Sequence, residues 1–333
     1  MRNLGKTGMI INRLGMGGIP IQRVDQQTVN DMIDELIAQD INFIDTARGY
    51  TVSEEMLGEA LRNKRDKFFL ATKSMSRDYE SMKKDVEISL NNLQTDTIDL
   101  YQFHNIKEGE LEKILGEDGA YKALLEAKEQ GKVKHIGITS HSVEVISKAV
   151  DMDCFETIQF PLNFIENQAN DIFDKAHQKG IGTIAMKPLA GGALDDATLA
   201  IKYLMSIDAL DVAIPGMDSI DQIRENINAT KNFELTDEDK KNIEETKNIL
   251  GSKFCRRCGY CMPCTVGIDI PSNFLLEGYY TRYNLKDWAT TRYRSQNIKP
   301  TDCIDCGVCE TRCPYELPIR DMLKNVADVL EEK

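Results

Sequence analysis

Eight short apolar runs, each followed by a longer amphipathic stretch, fill roughly the first 220 residues, and no other feature restricts the fold as strongly. The candidate strands are Arg13–Met16, Phe43–Thr46, Phe68–Thr72, Ile98–Phe103, His135–Thr139, Thr157–Phe160, Gly182–Met186 and Val212–Ile214. Unbroken apolar runs suit strands buried on both faces, as in parallel sheets. Between them, apolar residues recur at helical spacing over Thr28–Gln39, Ser53–Arg62, Asp78–Leu93, Glu110–Gln130, Val143–Asp151, Asp171–Lys179, Ala197–Ser206 and Ser219–Asn228. Gly116 and Gly119 interrupt the fourth of these. Eight such repeats have the size and rhythm of an α/β (β/α)8 TIM barrel. A doubly wound sheet is the alternative, but no Gly-x-Gly-x-x-Gly opens a helix near the start. The stretch Gly15-Met16-Gly17-Gly18 lacks that spacing and instead keeps a loop low at the barrel mouth.

In a barrel of this kind, catalytic groups stand at the C-terminal ends of strands. Asp45 ends one run, with Tyr50 five residues on in the following loop; Lys73 and His104 end the next two. Singly each has a bland reading: a turn cap, a rim aromatic, a solvated lysine, a satisfied core histidine. Together they make coherent chemistry. Reducing a carbonyl takes a hydride to carbon and a proton to oxygen. A tyrosine hydroxyl becomes a useful acid when a cation stabilises its phenolate, and Lys73 would supply that charge. Asp45 would hold Lys73 in place, and His104 would orient the carbonyl oxygen through a hydrogen bond.

The remainder of the chain is of another kind. Eight of its nine cysteines fall in the last 79 residues, in two runs. The first run is Cys255, Cys258, Cys261, Cys264; the second is Cys303, Cys306, Cys309, Cys313, followed by Pro314. Three thiolates at two-residue gaps curl around one cuboidal cluster, and a more distant cysteine completes it. In two-cluster ferredoxins the fourth cysteine of each run ligates the other centre. That pattern gives one [4Fe–4S] centre to Cys255, Cys258, Cys261 and Cys313, and a second to Cys303, Cys306, Cys309 and Cys264. The first run departs from the pattern: its last gap is short, and Thr265 stands where a proline follows in the second. Zinc also takes Cys-x-x-Cys pairs, but typically as two separated pairs per ion. Cys154, ahead of an apolar segment, reads as a small hydrophobe.

Between and after the runs the spacing is helical. Ser272 is placed to cap a helix through Phe274–Leu276, Lys286–Arg294 forms another, and Ile319–Leu330 a third. A mainly α-helical ferredoxin-like domain over 251–333, behind a barrel over 1–250, is the expected organisation.

Charge separates the same two regions. Residues 251–333 carry 12 basic and 11 acidic residues, the rest 29 and 43, for a net charge of −13. An acidic body disfavours nucleic acid as a partner. No apolar run is long enough to span a membrane, and the start of the chain carries no apolar signal segment, so the expected location is the cytoplasm.

At residue level, 1–250 resembles the aldo-keto reductase family. The resemblance rests on Asn3–Gly8, the Asp-Thr-Ala-Arg-Gly-Tyr segment 45–50, Ser53–Gly58, Ala71-Thr72-Lys73, Gly131–Gly137 and Lys187–Gly192. The whole chain resembles the branch with a C-terminal two-cluster extension. The resemblance implies a catalytic tetrad at Asp45, Tyr50, Lys73 and His104. It also implies NADPH or NADH held across the barrel mouth by Thr139, Ser140, Gln159, Met186 and Lys187, and by Pro215, Gly216, Glu225 and Asn226. Thr139-Ser140 replaces the family's usual Ser-Asn pair, and Met186 stands where an aromatic is common. Gly216 and Gln222 take the places of the cations that grip a 2′-phosphate, with the acidic Asp218 nearby. That pattern favours NADH.

Two functions follow. One is an oxidoreductase acting on a small-molecule carbonyl or alcohol and carrying two clusters. The other is an electron-transfer or docking protein with the barrel as scaffold; a metal-stabilised structural protein is a third and weaker reading. Hydride moves two electrons and each cluster one. A flavin normally bridges these modes, though no flavin motif is recognisable here; a protein partner is the other route.

Overall fold

In the computed structural model, described over residues 1–250 and 253–331, the chain divides into two compact units. The first comprises Met1–Leu189 with Asp196–Leu235; the second comprises Ala190–Asp195 with Thr236–Lys333. The expected boundary at 250/251 falls on residues outside the described ones, and the helix before it groups with the second unit.

The first unit opens with a two-stranded antiparallel hairpin, β1 (Arg2–Asn3) and β2 (Ile10–Ile11). Eight parallel strands follow: β3 (Met16–Gly17), β4 (Phe43–Asp45), β5 (Phe69–Ser74), β6 (Ile98–Phe103), β7 (Val133–Thr139), β8 (Thr157–Pro161), β9 (Gly182–Met186) and β10 (Val212–Ile214). They pair in sequence order, and parallel bridges from Leu14 to Ala213 and from Gly17 to Gly216 bring the first strand back to the last. The sheet is thus a nearly closed barrel, and the doubly wound alternative is excluded. Gly17 is required at the seam: a Cβ there would lie 2.9 Å from the Ile214 carbonyl oxygen. The first strand is shorter than expected, because the chain before Met16 joins the ladder only through isolated contacts.

Helices alternate with the strands: α1 (Gln26–Ala38), α2 (Ser53–Leu61), α3 (Tyr79–Asn92), α4 (Glu110–Leu115), α5 (Ala120–Glu129), α6 (Val143–Asp151), α7 (Asn170–Lys179), α8 (Ala197–Met205) and α9 (Ile220–Lys231). Side chains of Asp25, Asp78, Ser142, Asp196 and Ser219 cap five of them by accepting an N–H of the first turn. The single helix expected over Glu110–Gln130 is two, because Gly116 and Gly119 are both extended. A Cβ on Gly119 would sit 2.2 Å from the Ile114 carbonyl oxygen, so the chain turns there at close quarters.

The hairpin seals the N-terminal end of the barrel. Leu4, Met9 and Ile11 pack with Phe43, Ala71, Leu100, Ile184, Val212 and Ile214. Buried Asp211 accepts the Gly5 and Thr183 N–H groups and pairs with Arg2 at 3.1 Å. The remaining strand and helix faces form one large apolar core. Cys154 lies half-buried at its margin.

The second unit contains α10 (Asp237–Leu250), α11 (Ile270–Thr281), α12 (Lys286–Arg294), α13 (Val308–Thr311) and α14 (Ile319–Glu331). Asp269, not Ser272, caps α11: its carboxylate accepts the Ser272 N–H and hydroxyl, leaving Ser272 inside the first turn. The core joins Phe274, Leu276, Tyr280, Tyr293, Leu323 and Val326 with the buried thiols Cys261 and Cys309. No helix among the described residues is long and apolar enough to cross a membrane.

Candidate functional site

Strand ends β4, β5 and β6 bring four side chains together. Lys73, 1% exposed, donates to the Asp45 carboxylate at 2.6 Å and to the Thr46 carbonyl at 2.7 Å. Gln102 donates to the other Asp45 oxygen at 3.2 Å, and Gln159 also bonds that carboxyl. The Tyr50 ring lies with its centroid 5.1 Å from the Lys73 ammonium. His104 meets it edge-on, the ring centroids 5.8 Å apart. The backbone sets this up locally. Asp45 is the last residue of its strand, and Tyr50 is turned back by its N–H bond to the Ala47 carbonyl. His104 leaves β6 with its N–H on the Ser74 carbonyl at 2.8 Å.

Burial dominates the electrostatics. It pushes the Asp45 carboxyl up and the Lys73 ammonium down, and their mutual attraction opposes both shifts. His104 is driven well below the ordinary 6.5 by burial and by the positive charges of Lys73, Arg77 and Lys187. At neutral pH its imidazole is uncharged and offers one N–H.

The remaining expected contacts divide into two groups. Thr139 and Ser140 are tied to the loop after β6: the Thr139 hydroxyl accepts the Asn105 N–H at 2.7 Å, and the Ser140 hydroxyl donates to the Ile106 carbonyl at 2.6 Å. Met186 ends β9 half-buried, and Lys187 follows in a left-handed conformation, its carbonyl accepting from Asn163. Pro215 and Gly216 lie against Gly17 at the barrel seam. Glu225 is exposed, whereas Asn226 beside it is buried. Buried Gln159 Oε1 and Asn226 Oδ1 have no hydrogen-bond partner among the described residues. Two such acceptors, one by the tetrad and one on α9, fit a ligand that carries amino groups at both ends, as a nicotinamide dinucleotide does.

Asp218 is paired: Arg23, on the turn after β3, donates to it at 2.6 Å, and Gln222 accepts the Asp218 N–H. Sequence reasoning missed Arg23, 195 positions away. It also missed Gln102, whose only signal is an amide inside an apolar strand.

In the second unit the cysteines gather in two sets. Cys255 feels the charge of Cys258 and Cys313, and Cys261 that of Cys255, Cys258 and, from the second run, Cys309. Cys264, Cys303, Cys306 and Cys309 line a single cavity, together with Thr265 and Arg320. Among the described residues no three His, Cys, Asp or Glu side chains converge as ligands of one ion would. Cys264, Cys303, Cys306 and Cys309 surround space, as a cuboidal cluster requires. Burial pushes Cys255 up to about 11 and Cys261 up to about 12, so these sulfurs need a metal's positive charge to exist as thiolates. The donor set therefore fits iron–sulfur centres.

An eight-stranded parallel barrel with polar groups at its strand ends, followed by cysteine sets of this kind, defines a redox enzyme. By the match of residues 13–198 and 195–248 to the model of the Aldo/keto reductase family, the chain belongs to that family. Residues 254–318 match the model of a 4Fe-4S dicluster domain. The chain is 27% identical to L-galactose dehydrogenase of Arabidopsis thaliana, over 75% of this chain and 94% of that one. It is 25% identical to pyridoxine 4-dehydrogenase of Escherichia coli, over 66% and 90%. A solved aldo-keto reductase of Bacillus halodurans in its holo form superposes with a TM-score of 0.64 at 25% identity, covering 74% of this chain and 95% of that one.

Proposed function

We propose that the chain is a nicotinamide-dependent carbonyl reductase, acting in reverse as an alcohol dehydrogenase, whose C-terminal unit holds two [4Fe–4S] centres. The observation that carries the reading is the Tyr50 ring set against both the Lys73 ammonium and the neutral His104. Bound reduced nicotinamide supplies the hydride for the carbonyl carbon. Tyr50 delivers the proton: its hydroxyl hydrogen passes to the carbonyl oxygen as negative charge develops there. Lys73 stabilises the phenolate left behind, and Asp45 holds Lys73 in place. His104 is a neutral donor, so it orients the carbonyl oxygen without competing to give up a proton.

Gln159 Oε1 would accept an N–H of the carboxamide of a bound nicotinamide, and Asn226 Oδ1 an N–H of the adenine amino group. Arg23 is held by Asp218, so this end of the site offers a 2′-phosphate a carboxylate as well as a cation, and NADH is the preferred donor. A strong NADPH preference in kcat/KM would overturn that assignment. The tetrad is tested by Tyr50→Phe. We expect kcat to fall about 10²- to 10⁴-fold with KM nearly unchanged; full retention of activity removes Tyr50 from the role.

Cys255, Cys258, Cys261 and Cys313 hold the first centre, and Cys303, Cys306, Cys309 and Cys264 the second. An electron-transfer protein partner would exchange single electrons with them in the cytoplasm. The alternative, a carrier that uses its barrel as scaffold, draws on one observation: the Thr139 and Ser140 hydroxyls are engaged by backbone. Titration with NADH separates the two, since the carrier would not bind it.

A further inference from the structure

In the second cysteine-lined set a side-chain hydroxyl meets a cysteine sulfur. The Thr265 hydroxyl lies 3.4 Å from Cys306 Sγ, and both residues line the cavity bounded by Cys264, Cys303 and Cys309. A backbone donor serves the first set: Arg257 N–H reaches Cys255 Sγ at 3.4 Å. At Cys306 the donor is a side chain. Thr265 follows the last cysteine of the first run; Pro314, with neither N–H nor hydroxyl, follows the last cysteine of the second. The residue that breaks the ferredoxin pattern is therefore the one that puts a hydroxyl on a cluster sulfur.

We propose that Thr265 raises the reduction potential of the second centre and so sets it apart from the first. The inference rests on Cys306 being a ligand. As a ligand, Cys306 is a thiolate with no proton to give, so Thr265 is the donor and the sulfur the acceptor. Reduction adds one electron, from dithionite or an electrode, and leaves every proton in place. The added negative charge spreads onto the sulfurs, where a hydrogen bond stabilises the reduced state more than the oxidised one. Nearby Arg320 is already held by Glu310 at 2.8 Å and Asp305 at 3.5 Å, so its charge is partly answered. Cys306 is exposed, and water competes for its sulfur. Thr265→Val keeps the branched shape while removing the donor.

Anaerobic redox titration of the full chain by electron paramagnetic resonance tests this. In Thr265→Val one of two midpoints is expected to fall, by up to about tenfold in the reduced-to-oxidised ratio, which is about 59 mV for one electron. The other midpoint stays, iron and sulfide counts stay, and Thr265→Ser restores the wild-type value. Unchanged midpoints in Thr265→Val with full iron content overturn the proposal. Should Thr265→Val lose iron, Thr265→Ala removes the hydroxyl without the branched side chain and carries the same comparison. Iron loss in both, with retention in Thr265→Ser, makes Thr265 an assembly residue and also overturns it. Wild-type protein holding a single cluster is a separate result, which sinks the two-centre reading itself.

Discussion

Buried charge is handled differently in the two units. In the barrel, Lys73 faces Asp45 at 2.6 Å with Gln102 and Gln159 closing the carboxylate, so the interior answers its own charges. In the cysteine unit, Cys261 and Cys309 sit inside the apolar core as thiols, and ionising them there is disfavoured. One unit pairs its buried charges internally; the other gathers buried thiols in its core. Chemistry that needs a polar interior can thus be made from paired residues or from residues that wait for a metal. The second route ties folding to metal supply.

Three experiments bear on that contrast. Stripping iron with a chelator under reducing conditions should have the largest effect. Helices α11 to α14 are expected to lose their slow-exchanging amides while the strands β4 to β9 keep theirs, as read by hydrogen exchange. Equal survival of both units would erase the contrast. Next, Lys73→Met leaves Asp45 buried without its cation and should destabilise the barrel by about 3–5 kcal/mol in denaturant unfolding. Its iron content should be unchanged. A cost near zero would mean that the barrel pair is dispensable. The smallest effect concerns acid. Burial works against ionised Glu156, yet hydrogen bonds from His135, Lys128 and the Ile136 N–H hold it down to about 2. Its folded value lies below the ordinary 4.5, so its stabilisation is full above that pH and fades as pH falls towards 2. Glu156→Gln should flatten the acid limb of barrel stability over that window and leave the rest of the curve alone.

Apolar runs made the central strands legible, because β6 and β8 are buried along their whole length. The same logic failed for the hairpin, whose strands are two residues each. It also failed for α10, where Ile243 is the sole buried residue and no apolar stripe exists to be read. Gly116 and Gly119 were visible, but their extended conformations follow from tight tertiary approach, which spacing does not encode. At the site, strand-end positions named Asp45, Lys73 and His104, since a barrel places those ends together. Gln102 bonding Asp45, and Arg23 answering Asp218, are pairings across the fold that only coordinates reveal.

The hairpin has a consequence for how such a chain is made. Arg2 and Gly5 leave the ribosome long before their partners, since Leu210 and Asp211 lie 208 and 206 positions later. Until almost the whole barrel has been synthesised, Leu4, Met9 and Ile11 lack the lining of β9 and β10 that covers them. The lining that covers these apolar residues is thus incomplete through most of the barrel's synthesis. Closure of the barrel floor is therefore a late, long-range event, the kind that slows folding and invites chaperone capture.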